Sequence, residues 1–307
     1  NADGIDINSC RDMLISDCII KTGDDGIVLK TRYEKPCENI VVSNCIVSSS
    51  STALKLGTES HADFRHIIFN DCVVRDANRG LSIVVRDGAL VEDVIFSNIT
   101  VECKRRHFNW WGNGDPIWIF LTKRNKNSRV GYIKNVVFEN IIATGMGTSK
   151  IESTEGKRIE NIQLTNVQLT MMAEDRIDKR ADDALYVNNT IGLTVRNLSV
   201  MWNQKLTEPK WRSALMMEDS ENIRIYGFTG RQGLLHADAP AIQFLNTQNV
   251  YFSEGFVDTH SNTFIDIAGE KSKKYVLRNI DPFGIAQTKL NINGDVQHAE
   301  TISISDK

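Results

Sequence analysis

The chain has 307 residues, a formal net charge of −3 with 24% charged and 41% hydrophobic residues, and six cysteines. The balance gives no basic field for nucleic acid, and no apolar run approaches the roughly 20 residues that cross a bilayer. Neither a signal peptide nor an initiating methionine opens the sequence.

The first 30 residues carry the densest chemistry. Asn1-Ala-Asp3-Gly4 precedes Lys21-Thr-Gly-Asp24-Asp25-Gly26-Ile-Val-Leu-Lys30, placing three carboxylates in one short stretch, two of them adjacent. Like charges held together push one pKa up and leave the others low, which yields a general acid and a general base from one side-chain type. Gly-Asp-Asp-Gly is also ordinary turn chemistry.

A repeat raises the weight of that cluster. Asp17, Asn44, Asp71 and Asn98 sit in equivalent Ser/Asn-Asp/Asn contexts at intervals of 27 residues. The pattern continues at Asn140, Asn166, Asn197, Gly227, Glu254 and Asn279, each unit carrying short Ile-, Val- and Phe-rich runs broken by Gly, Asn, Asp and Ser. A fixed period in this range, with short alternating runs and no helical periodicity, predicts a β-solenoid. The expected fold is all-β, a right-handed parallel β-helix of about ten coils forming one domain over 1–307. Coils and a cap are expected before Asn1, because a solenoid opening on a catalytic rung would expose an unpaired strand edge.

Residues one period apart then stack about 4.8 Å apart on neighbouring rungs. Cys18, Cys45 and Cys72 share one column; Cys10, Cys37 and Phe64 share another. A cysteine that alternates with phenylalanine fills an interior ladder, so the expectation is free, buried thiols rather than disulfides.

Asn1-Ala-Asp3-Gly-Ile-Asp, Gly23-Asp24-Asp25-Gly26-Ile-Val-Leu-Lys and Ala53-Leu-Lys-Leu-Gly-Thr-Glu59, in this order inside the repeat, resemble glycoside hydrolase family 28, the polygalacturonase family. The resemblance implies an inverting hydrolase of pectin-type polysaccharides that needs no cofactor or metal, and it implies a secreted or periplasmic protein. Its partner is a poly- or oligosaccharide substrate; a monomer is expected. By position, Asp24 resembles the acid that protonates the leaving oxygen, and Asp3 and Asp25 the carboxylates that activate water. Inversion asks for acid and base about 6.5–9.5 Å apart. Neighbours on an ideal strand face opposite ways, so Asp24 and Asp25 need a local bend, which Gly23 and Gly26 permit.

The departures point to specificity. The family's Gly-His-Gly falls on Ser51-Thr52-Ala53, and its Arg-Ile-Lys, which binds substrate carboxylates, falls on Ser82-Ile83-Val84. Plain homogalacturonan is therefore not the expected substrate; rhamnogalacturonan or another pectic fragment is. Lys55, Arg79 and Arg86 are the nearest cations in register and the expected ligands of any acidic sugar.

Further along, the 42-residue interval between Asn98 and Asn140 marks an insertion, Lys104 to Trp118, whose Arg105, Arg106, His107, Trp110 and Trp111 are expected to reach substrate from a loop. Glu59, His61 and Asp63 have a metal-like spacing with one histidine only, and no metal site is expected. Thr170 to Asp183 reads as a charged loop, Trp211 as a cap or lining of the cleft, and 281–307 as an irregular coil over the last edge. Two other classes compete with a hydrolase. A polysaccharide lyase or epimerase would need a Lys or Arg base, and a non-catalytic carbohydrate-binding β-helix would fit the lost histidine and cations.

Overall fold

The structure, a computed structural model, describes residues 2–106, 112–235, 238–297 and 301–305. It is a right-handed parallel β-helix. One sheet of 11 strands runs from Ile5–Asn8 to Ala286–Ile292, and a second of 14 runs from Arg11–Ser16 to Ile302–Ser305. Among the described residues no helix is long and apolar enough to cross a membrane. The eleven rungs exceed the ten expected because the tail is regular: Ala286–Ile292 pairs with Ser261–Ala268, and Ile302–Ser305 pairs with Lys273–Ile280.

The 27-residue anchors turn corners. Asp17, Asn44, Asp71, Asn98, Asn140, Asn166 and Asn197 all have φ between 52° and 59°. Asn and Asp tolerate this left-handed backbone better than other side chains, and stacking adds a ladder of amide bonds. The amide of Asn140 donates to Asn98 at 2.9 Å, and that of Asn166 to Asn140 at 3.0 Å. A second ladder, through Asp12, Asn39, His66, Asp93, Asn135 and Asn161, bends the chain at the same φ on the other side of each strand. Asn140→Ala should cost about 1–2 kcal/mol through the left-handed backbone alone, and Asn140→Gly distinctly less. Denaturant midpoints of the two variants check this; equal losses would mean that the ladder bond, not the bend, is what asparagine supplies.

Inside, columns of apolar side chains fill the tube. Phe69, Phe96 and Phe138 stack with centroids 4.9 and 5.0 Å apart and planes within 5°. The six cysteines are free. Cys37 lies below Phe64 in the column expected, and Cys45, Cys72 and Cys103 are buried too, while Cys10 and Cys18 on the first coil are half-buried. Burial pushes the Cys72 thiol up to about 11, so it stays an inert apolar filler at neutral pH.

Candidate active site

The chain leaves the strand Ile19–Thr22 and enters Ile27–Thr31 through a corner, and Asp24 and Asp25 sit on that corner rather than on a strand. This removes the opposite-face conflict. Asp24 is anchored by its backbone: its N–H donates to Ala2 O at 3.1 Å, and its carbonyl accepts from Thr22 Oγ1 at 2.6 Å and Ser49 Oγ at 2.5 Å. Gly26 is needed for clearance, since a Cβ there would lie 2.4 Å from Val47 Cγ1 and 2.5 Å from the Ala53 carbonyl oxygen.

The register places Asp25 beside Asp3 on the rung before, with Ile5 paired to Ile27. One oxygen from each of Asp3, Asp24 and Asp25 lies within 4.8 Å of the others. This is tighter than the 6.5–9.5 Å spacing expected from inversion, although nearest oxygens always lie closer than carboxyl centres. Two hydrogen bonds of about 2.8 Å reach oxygens up to about 5.6 Å apart, so one water can bridge two of these carboxylates.

The three carboxylates have unequal surroundings. Asp3 accepts a 2.5 Å ion pair from Lys30 Nζ, which also holds Asp6 at 2.8 Å. Burial alone would lower the Lys30 pKa, but its bonds to Asp3 and Asp6 outweigh that and raise it. Asp25, nearly buried, takes Lys55 Nζ at 2.6 Å, Ser51 Oγ at 3.0 Å and the Thr52 N–H at 3.2 Å. Among the described residues Asp24 has no ion pair. Burial first, then the charges of Asp25 and Asp3, raise its pKa, and the more distant Lys55 opposes this only in part. The site therefore contains two carboxylates paired with lysines and one, without an ion pair, whose pKa is raised.

These groups line a groove of about 550 Å³ whose walls include Glu59, Arg79, Val84, Arg86, Trp118 and Phe120. Lys55 stacks on Ser82 and Arg79 on Thr52, the register expected from the sequence. Both cations have internal partners. Arg79 is buried, pairs with Asp115 at 3.1 Å, and lies 3.5 Å from the centroid of the Trp118 ring. Arg86 differs, because its Nε is buried with no hydrogen-bond partner among the described residues. Trp118, one of the three tryptophans of the insertion expected to offer a sugar-stacking platform, lies in the groove, on the strand Asp115–Leu121 rather than in a loop. Lys30 and Phe120 were not singled out as groove residues by sequence. The alternation of Ile-Val-Leu-Lys, which turns Lys30 to the face of Val28, was the available signal.

Other expected ligands lie elsewhere. His107, Trp110 and Trp111 fall outside the described residues. Arg105 does not reach the groove: it is buried in a clasp with Glu174 and Asp178, both at 2.6 Å. Arg106 pairs with Asp76 at 2.8 Å. Those acids of the clasp belong to the segment after Met171, which is the loop expected there. Trp211 neither caps nor lines the groove; it is 1% exposed and packs on Trp202, ring centroids 5.0 Å apart. Glu59 and Asp63 are occupied by Arg32 and Arg65, each at 2.7 Å, and do not converge with His61 on a common point.

Asp183 is a buried carboxyl that sequence reading passed over. It lies in the column of Asp25, Thr52, Arg79 and Asp115, and burial, opposed in part by the Ser213 N–H at 2.9 Å, raises its pKa to about 6. A raised carboxyl pKa means that the folded state binds the proton more tightly. Stability is therefore full below the model-peptide value and falls as pH rises through the interval from 3.8 to about 6. Asp183→Asn should raise stability at pH 7 by on the order of 2–3 kcal/mol and leave it unchanged near pH 3. Thermal melts at the two pH values read this directly, and an equal gain at both would refute it.

The profile of glycosyl hydrolases family 28 matches residues 1–184. No curated protein matches the sequence. Among solved structures, the A-module of the Azotobacter vinelandii mannuronan C-5 epimerase AlgE6 superposes with a TM-score of 0.53 at 11% identity, over 94% of this chain and 79% of that one. The A-module of AlgE4 from the same organism gives 0.50 at 10% identity, over 95% and 81%. At such identity the likeness concerns the fold, whereas the matched profile covers more than half of the chain, including every carboxylate of the groove. The chain belongs to glycosyl hydrolases family 28.

Proposed function

We propose that the protein is an inverting glycosidase of pectic polysaccharides, with Asp24 as general acid and Asp3 and Asp25 as the pair that activates water. One observation carries the reading: of three carboxylates within 4.8 Å, two are tied to lysines and the third has a raised pKa. Protonated Asp24 gives its proton to the glycosidic oxygen as the bond to C1 breaks. A water bonded to ionised Asp3 and Asp25 attacks C1 from the other side and passes its proton to one of them. Neither base is well placed as a covalent nucleophile, because attack by it would sacrifice the ion pair to Lys30 or Lys55.

The wall of the groove speaks for the substrate. Lys30, Lys55 and Arg79 are neutralised by Asp3, Asp25 and Asp115, leaving Arg86 as the groove cation with an unmet donor among the described residues. We assign to it a single substrate carboxylate, beside a less charged sugar on Trp118 and Phe120, as in a branched or alternating pectic fragment. His107, Trp110 and Trp111 remain candidates for contacts from the insertion, and the protein is expected to act as a monomer outside the cytoplasm. An epimerase reading has the likeness of fold alone behind it.

The test is reducing-end release from homogalacturonan, rhamnogalacturonan and branched fragments across pH. Activity should fall as pH rises, because the alkaline limb is loss of the Asp24 proton, whose pKa burial and the charges of Asp25 and Asp3 raise. A rate that keeps climbing through pH 8 would exclude a carboxylic acid as proton donor. Equal rates on homogalacturonan and on branched fragments, untouched by Arg86→Met, would exclude the substrate assignment.

A further inference from the structure

A second cavity, of about 760 Å³, opens far from the acid corner and is lined by Gln204, Thr207, Arg231, Leu234, Leu235 and Thr259. These residues lie in turns leading into the 11-stranded sheet, on the same edge of the solenoid as Asp24 and Asp25. The strand following Arg231, Ile242–Leu245, comes seven places after Ile27–Thr31 in that sheet, roughly 34 Å along the axis at about 4.8 Å per strand.

Arg231 is the unusual member. It is 6% exposed, yet among the described residues no carboxylate lies within ion-pair distance. Its Nη1 donates to the carbonyls of Gln232 at 2.7 Å and Gly233 at 3.2 Å, and Asp258 attracts it only through space. The neighbouring carboxylate Glu208 is occupied by Lys179 at 2.8 Å. Its main chain is pinned in turn, since Trp202 Nε1 donates to the Arg231 carbonyl at 2.9 Å. A buried cation without a carboxylate in contact is costly, and a fixed guanidinium lining a cavity is suited to a planar anion. Around it stand an amide, two hydroxyls and two leucines. This is the mixture that a pyranose acid requires: hydroxyl partners on its edge, apolar contacts on its C–H face and a fork for its carboxylate.

We infer that the cavity is a distal uronate-binding subsite, in which Arg231 takes the carboxylate, Gln204, Thr207 and Thr259 the ring hydroxyls, and Leu234 and Leu235 the apolar face. The choice of a uronic acid over another carboxylate rests on the pectic reading of the groove. A polysaccharide laid along this edge would reach both sites, so the subsite would hold the distal part of a long chain while the acid corner cuts.

Calorimetric titration of the full chain with D-galacturonate and with D-galactose tests this. The acid should bind in two classes, one at each site, and galactose at least tenfold more weakly. Arg231→Met should abolish one class and spare the other, and Arg86→Met should do the reverse. Should Arg231→Met not fold, Leu235→Glu, at a half-exposed rim position, should weaken the same class at least tenfold by placing a negative charge at the mouth. Unchanged galacturonate binding in a folded Arg231→Met or Leu235→Glu protein overturns the subsite. Loss of the Arg86 class alone, or its absence, bears on the groove and leaves the distal site standing or falling by itself.

Discussion

Asp24→Asn should lower turnover by about 10²–10⁴-fold while leaving substrate affinity almost unchanged. The corner holds Asp24 by backbone bonds to Ala2, Thr22 and Ser49, none of which involves its carboxyl, so the variant keeps its shape. What it loses is a carboxyl whose pKa burial and two neighbouring carboxylates raise. Asparagine is isosteric and cannot protonate a leaving oxygen. A drop in affinity equal to the drop in turnover would instead mark Asp24 as a binding residue. Asp3→Asn and Asp25→Asn should also abolish most activity, with a difference: Asp25→Asn leaves Lys55 without its partner and should lose stability as well, whereas Lys30 keeps Asp6 when Asp3 is replaced.

Arg79→Met should destabilise the protein by about 3–5 kcal/mol, the usual cost of leaving one member of a buried ion pair alone. Arg79 and Asp115 have side chains 8% and 4% exposed, and Trp118 lies over the guanidinium. Among the described residues Asp115 would be left with the Asn113 N–H at 3.1 Å. Adding Asp115→Leu should restore part of the loss, because the double variant buries no unpaired charge. Urea midpoints of the two single variants and the double complete the cycle. From the sequence alone Arg79 is a substrate ligand, and that role predicts the opposite pattern: normal stability with weaker binding of acidic sugars.

The difference over Arg79 shows where sequence was sufficient and where it was not. The solenoid was legible because its period is written in residues with a backbone job: Asp17, Asn44, Asp71 and Asn98 recur where a left-handed corner recurs. The second corner was overlooked although its column is mostly Asn and Asp, at Asp12, Asn39, Asp93, Asn135 and Asn161, with His66 and Lys274 breaking the run. The last coil was expected to be irregular because 281–305 carries no anchor at the 27-residue spacing, yet its strands pair in register. In the groove, Asp3, Asp24 and Asp25 were legible as a group, since they lie on adjacent coils and a linear motif spells them out. The pairing of Lys30 with Asp3 and of Lys55 with Asp25 depends on how far a long side chain reaches diagonally across rungs, which register does not specify. The Arg79 partner, Asp115, comes from the C-terminal end of the insertion, 36 residues on, where the simple period fails. Trp211 has no period to place it, and a tryptophan suits a buried stack on Trp202 as well as a sugar platform.

The central claim, that the Asp3–Asp24–Asp25 corner hydrolyses glycosidic bonds with inversion, is tested most directly by following the ¹H NMR spectrum of a cleaved pectic oligosaccharide from the first turnover. The account predicts new reducing ends whose first-formed anomer is opposite to that of the bond cut, with no olefinic protons, and their absence when Asp24→Asn is used. Reducing ends of retained configuration would contradict inversion; unsaturated ends, or a change of sugar configuration with no chain cleavage, would contradict hydrolysis itself.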